Sequence, residues 1–236
     1  MSKIDTLDDR VIIKSLEILR NRVAERFPTR GLTQTSAELV DIARVSARQA
    51  ASLKNPVWSL RLFSIMTVGL GVFAFWLLVN FLTVKVDIGK TFELSELTQG
   101  LDATFNILVI CGLVIAFFWQ FESLYKRNKA LRGLYQLRAL SHVIDMHQLT
   151  KDPVLIVGTK PTASSPVRDL TTAELLRYLD YCTEMLSLIG KLAALYVQYF
   201  PDAQVTSAVN DVEELTTDLS RKIWQKIMLV QKSGPQ

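Results

Sequence analysis

The chain has 236 residues, with 27 Lys or Arg against 23 Asp or Glu, 49% hydrophobic residues and a formal net charge of +4. Those averages suit a soluble domain, but residues 62–84 and 103–121 contain no charged side chain, so every charge is crowded onto the remainder. The distribution excludes a wholly soluble globule and a disordered tail protein. The small basic excess needs no nucleic acid to explain it, because no basic run is interleaved with aromatics.

In chain order, residues 5–27 predict a helix with Ile12, Leu16, Leu19, Val23 and Phe27 on one face, broken by Pro28 and Gly31. A second helix is expected up to Lys54, with Thr35 and Glu38 at capping-box spacing. Its Leu39, Val40, Ile42, Ala43, Ala47 and Ala50 form an apolar face on which the alanines permit close approach. Asn55-Pro56 then separates it from the first uncharged run, since the residue before proline is pushed out of helical geometry.

That run, residues 62–84, makes a helix about 34 Å long and the second, 103–121, one about 28 Å long, each matching a hydrocarbon core of roughly 30 Å. The first includes 14 Leu, Ile, Phe or Val and the second 11, each favouring insertion by roughly 0.3–0.6 kcal/mol near the bilayer centre. Two fully buried core helices are the competing explanation, but so small a domain would struggle to surround two uniformly apolar cylinders. About 60 polar-rich residues precede the first run, so it does not read as a signal peptide.

Arg48, Lys54 and Arg61 precede the first span, Lys126, Arg127, Lys129 and Arg132 come after the second, and only Lys85 and Lys90 lie between. That asymmetry predicts both termini in the cytoplasm, a plasma (inner) membrane location and an outer loop at residues 85–102. Trp58, Trp119 and Tyr125 are expected to anchor the inner interface, where rings with one wet edge settle. The resulting domains are a helical pair at 1–56, a transmembrane hairpin at 57–122 and a helical bundle at 123–236.

Within the spans, Thr67-Val68-Gly69-Leu70-Gly71 resembles the selectivity-filter signature of potassium channels. In that family the motif comes after a short pore helix between two spans, whereas here it falls inside the first apolar run. A packing role for small residues such as Ser64, Gly71 and Ala74 is the better explanation. Asn80 and Asn106 reach similar depth in an antiparallel hairpin and are expected to form a polar pair, with the mouth of an oligomeric pore as the other use. Neither span carries an ionisable group for a proton relay.

After the second span, Gly133 is the only glycine and no proline occurs before Pro153, so the membrane helix is expected to continue and couple membrane to cytosol. Residues 151–169 hold three prolines and break the pattern, with Val154–Val157 as a short extended segment. Residues 171–200 then carry two apolar rows. One is Leu175, Leu179, Cys182, Leu186, Ile189, Ala193, Tyr196 and Phe200; the other runs beside it through Tyr178, Tyr181, Met185, Leu188, Leu192, Leu195 and Tyr199. Arg177, Asp180, Glu184, Lys191 and Gln198 leave only a narrow polar stripe. A helix so widely apolar needs cover on two sides, so it is the centre of a bundle or lies partly in a subunit seam. Pro201-Asp202 turns the chain into a last helix with Val205, Val209, Val212, Leu215, Leu219, Ile223, Ile227 and Val230 on one face.

Chemistry-bearing motifs are sparse. His142, Asp145 and His147 are close in sequence, but the two histidines are not at the i,i+4 spacing of a helical zinc site. Gly158-Thr159-Lys160 lacks the rest of a phosphate-binding loop, and Asp169 or Thr171 before Glu174 fits a helix start. Cys111 and Cys182 fall in different compartments and read as small buried hydrophobes. No catalytic residue, cofactor or metal site is expected.

The fold class is therefore all-α: a two-span hairpin with a cytoplasmic antiparallel helical bundle built from N- and C-terminal helices. The expected role is a non-enzymatic membrane scaffold that self-associates or docks another membrane or cytoplasmic protein. The alternative is an oligomeric pore-forming or channel-like effector gated by the bundle.

Overall fold

The computed structural model describes residues 6–87, 94–149, 151 and 170–232. Its elements are all α-helices: α1 (Asp9–Arg26), α2 (Gly31–Leu53), α3 (Trp58–Asp87), α4 (Leu94–Leu149), α5 (Thr172–Tyr199) and α6 (Ala203–Lys232). Among the described residues there is no strand. The extended segment expected at Val154–Val157 lies outside them.

Helix starts show how local chemistry sets the boundaries. Asp8 caps α1, its carboxylate accepting from the Arg10 N–H at 2.9 Å. Thr171 and Glu174 form a reciprocal capping box on α5, because the hydroxyl accepts from the Glu174 N–H while the Glu174 carboxylate accepts from the Thr171 N–H. Asp202 caps α6 by accepting from the Gln204 and Val205 N–H groups at 3.0 and 3.2 Å.

The capping box expected at Thr35 and Glu38 does not form. Helix α2 already begins at Gly31, so Thr35 sits a full turn inside and its hydroxyl donates back to the Gly31 carbonyl. Glu38 instead accepts from the Gln34 amide at 3.0 Å. Helix continues beyond both uncharged runs, since α3 reaches Asp87 and α4 starts at Leu94.

The chain divides into two compact units: Asn55–Lys126, and Met1–Lys54 together with Arg127–Gln236. Helix α4 is unbroken and contributes to both.

In the larger unit, α5 is the central helix, packed on α6, α2 and α1. The faces predicted for α1 and α6 are buried, as are Leu39, Val40, Ala43, Ala47 and Ala50 of α2. On α6, Thr216 is buried within that face and Leu215 only partly covered. Each buried Leu, Ile or Val contributes roughly 1.5–3 kcal/mol through the water it excludes. The second half of α4 completes the core with Leu134, Leu137, Leu140 and Ile144. At Gly133 the backbone of α4 comes so close to the Tyr196 ring of α5 that a Cβ there would collide with the phenolic oxygen.

Candidate functional site

The smaller unit presents the least ordinary surface. Its helices α3 and α4 pair antiparallel, with Phe63 against Phe118 (ring centroids 5.4 Å) and Gly71 against Cys111, where a Cβ on the glycine would meet Sγ at 2.6 Å. Gly71 thus serves close packing. Gly69 faces open space, and Thr67 donates to the Phe63 carbonyl at 2.9 Å within uninterrupted helix, so the filter-like sequence forms no re-entrant loop.

Away from that seam, most of the described apolar side chains are uncovered. Leu62, Ile65, Met66 and Leu70 on α3, and Phe105, Leu108, Ile110 and Leu113 on α4, are all at least 60% exposed. Both helices are long and apolar enough to cross a membrane, and almost none of their most apolar stretches is buried by the chain itself. They are not the sealed core helices of a soluble globule, because such helices would be covered on every side.

At one end of this helix pair lies a polar clasp. Glu122 is buried, and its carboxylate accepts from the Val57 N–H (3.2 Å), the Arg61 Nε (3.4 Å) and the Lys126 Nζ (2.9 Å). Val57 immediately precedes α3, so the carboxylate also sits against the positive end of that helix dipole. Burial works to raise the Glu122 pKa, but the Lys126 ammonium, the Val57 N–H and Arg61 outweigh it and hold the carboxyl below its ordinary value. The predicted anchors Trp58, Trp119 and Tyr125 are all exposed, at 74%, 77% and 52%.

Asn80 donates its amide to the Trp76 carbonyl one turn back at 2.9 Å and is exposed, as is Asn106. The described hydrogen bond of Asn80 is therefore to its own helix.

In the larger unit the double seam of α5 is occupied by the chain's own helices. Leu175, Leu179, Leu186, Ile189 and Tyr196 are buried and Phe200 is half-buried. The polar stripe is used as well. Glu184 pairs with Arg22 of α1 at 2.9 Å, and the Gln198 side chain clamps Leu7 by accepting from its N–H (2.8 Å) and donating to its carbonyl (3.2 Å). Between α1 and α6 this stripe floors a groove of about 960 Å³, lined by residues that include Arg22, Glu184, Ser187, Lys191, Glu213 and Thr216.

Two further ties were not legible in the sequence. Arg127 donates from Nε and Nη2 to both oxygens of Asp202, the shortest contact being 2.6 Å. That bidentate bond is the main cause of the lowered Asp202 pKa. The Thr35 hydroxyl and His147 Nε2 are 2.8 Å apart, which ties the start of α2 to the end of α4. His142 is exposed, and Asp145 accepts from the Gln148 amide. Among the described residues no group of three or more His, Cys, Asp or Glu is arranged to hold a metal. Burial pushes the Cys182 thiol up to about 12, which removes thiolate reactivity near neutral pH.

No protein-family model, curated protein or solved structure matches this chain.

Proposed function

We propose that the chain is a multi-pass protein of the plasma (inner) membrane, without enzymatic activity, that displays a folded helical bundle in the cytoplasm as an oligomeric scaffold or docking module. One observation carries this reading: apolar side chains of α3 and the first half of α4 are left exposed, whereas those of the other unit are largely internal. Lipid is the solvent that an all-round apolar helix pair with internally satisfied backbone requires. In that setting the Glu122 clasp closes the inner end of a transmembrane hairpin, and Trp58, Trp119 and Tyr125 lie at headgroup depth.

Because the α5 seam is filled by the chain's own helices, docking falls to the outer faces of the bundle. Self-association has a second source in the spans, where exposed Asn106 is a polar amide on a lipid-facing surface and gains by pairing, with Asn80 or with another copy. That amide also supports the second reading, an oligomeric pore or channel-like effector whose bundle gates it.

Crosslinking in native membranes tests the leading reading, with a ladder of chain multimers or a specific adduct as the expected result. A strictly monomeric chain that retrieves nothing counts against it. Recovery of the chain in the supernatant of a detergent-free lysate after ultracentrifugation removes its basis. Glu93→Cys, at a position outside the described residues, should react with an impermeant thiol reagent from outside intact cells; labelling only after lysis reverses the topology. Release of trapped dye from vesicles holding the purified protein favours the pore instead.

A further inference from the structure

The larger unit contains a second hollow, of about 500 Å³, bounded by Arg22, Glu25 and Arg26 on the last turns of α1 and by Arg177 and Tyr181 on the early turns of α5. We infer that this hollow is a binding site for a phosphate group, in which the guanidiniums of Arg22, Arg26 and Arg177 converge on one anion.

Three features of the hollow point to that chemistry. The first is the set of cationic donors. Three guanidiniums and one carboxylate, Glu25, line the hollow; Glu184 and Asp180, outside the lining, pair with Arg22 and Arg177, so an anion is met by Arg26 and by the donors left over on the other two guanidiniums. The negative end of the α1 dipole, roughly half a charge, opposes an anion there, so attraction rests on directed guanidinium bonds rather than on net charge. Arg26 also acts beyond the hollow: the Glu174 carboxyl lies below its ordinary range chiefly through its Thr171 bonds, with Arg30 and then Arg26 adding to the effect.

The second is preorganisation. Arg22 is held by Glu184 at 2.9 Å and lies over the Tyr181 ring at 5.1 Å, while Arg177 is held by Asp180 at 3.1 Å. Each guanidinium carries five N–H donors in a fixed plane, so these bonds orient the fork and leave donors for a ligand. Arg26 makes no hydrogen bond or ion pair among the described residues and is exposed. It is the arginine with its whole donor set available.

The third is the lining itself. Apart from the Tyr181 ring, which is buried beneath Arg22, every bounding side chain is charged. An apolar ligand would gain little, whereas a phosphate, with roughly −1.5 to −2 charges at neutral pH, can accept paired bonds from several arginines.

The phosphate can belong to a soluble molecule or to a lipid headgroup, and the test separates the two. Full-length protein in neutral detergent micelles is titrated calorimetrically with sodium pyrophosphate, with sodium chloride of equal ionic strength as the blank. Saturable binding is expected, weakened about tenfold or more by Arg26→Ala and by Arg177→Ala. Both positions are exposed, so far-UV circular dichroism should be unchanged. Arg26→Lys should restore only part of the affinity, because an ammonium cannot form the paired bond. Pyrophosphate displaced by micelles doped with phosphatidic acid, but not by phosphatidylcholine alone, indicates a lipid source; pyrophosphate binding without such displacement indicates a soluble ligand. Heats equal to the chloride blank, or the same affinity in both alanine variants, overturn the site.

Discussion

Helices α3 and α5 are both apolar around most of their circumference, yet they meet opposite fates. Leu186 and Ile189 of α5 are wholly buried, while Leu70 of α3 is 68% exposed. The difference lies in what accompanies each apolar surface along the chain. The stripe of α5 carries groups that bond to neighbouring helices, as Glu184 does to Arg22 and Gln198 to Leu7. The run at 62–84 has no charge of any kind and only small residues for a close approach to one partner. An apolar helix with a polar handle can be docked in water by its own chain, and one without a handle needs another solvent.

The sharpest way to break that contrast is a matched pair of substitutions. Leu186→Asp places an unpaired carboxylate in the bundle core and should cost more than about 4 kcal/mol, enough to abolish its cooperative melting. Leu70→Asp should leave the thermal melt of the bundle intact while weakening membrane insertion by roughly 2.5–3.5 kcal/mol, read as extraction by alkaline carbonate. Equal loss of bundle stability in both variants would show that the two apolar helices are not differently solvated.

A smaller contrast uses two glycines. Gly133→Ala drives a methyl group into the Tyr196 hydroxyl and should cost about 1–3 kcal/mol of bundle stability by denaturant titration. Gly69→Ala adds its methyl group in open space and should leave insertion and melting unchanged.

Asp202→Ala removes the α6 cap together with the Arg127 bond and should cost about 1–2 kcal/mol. Its pH signature has a definite sign. The folded-state pKa is lowered from the ordinary 3.8. The extra stability of the natural chain over the variant is therefore fully present above that ordinary value and shrinks as pH falls through the lowered one. A difference that grew on acidification would contradict the assignment. The smallest effect is expected at Arg221→Ala, an exposed i,i+3 partner of Asp218, which should stay within about 0.5 kcal/mol.

Much of this architecture was readable from residue pattern. The rows on α1, α5 and α6, the break at Asn55-Pro56, the start of α5 at Thr171 and Glu174, and the continuation of the second apolar run into α4 all stem from periodicity and capping chemistry. Thr35 shows the limit of such motifs. Its spacing to Glu38 is also a spacing of helix interiors, and the choice fell to the chain just upstream, where the Thr33 hydroxyl bonds the Phe27 carbonyl at 2.5 Å and helix begins at Gly31. Glu122 does leave a trace in the sequence, as a lone acid at the edge of an uncharged run with Lys126 one turn on.

By itself, the sequence determined the all-helical class and the two membrane-grade runs, because helix periodicity and the absence of charge are properties of neighbouring residues. Only the tertiary structure decided that the double seam of α5 is covered from within, and that Arg127 meets Asp202 75 positions away and Thr35 meets His147 112 positions away. It also gathered the arginines of α1 and α5 around one hollow. Those outcomes depend on which helix faces come together in space, and that choice is made by the packing of the whole bundle at once.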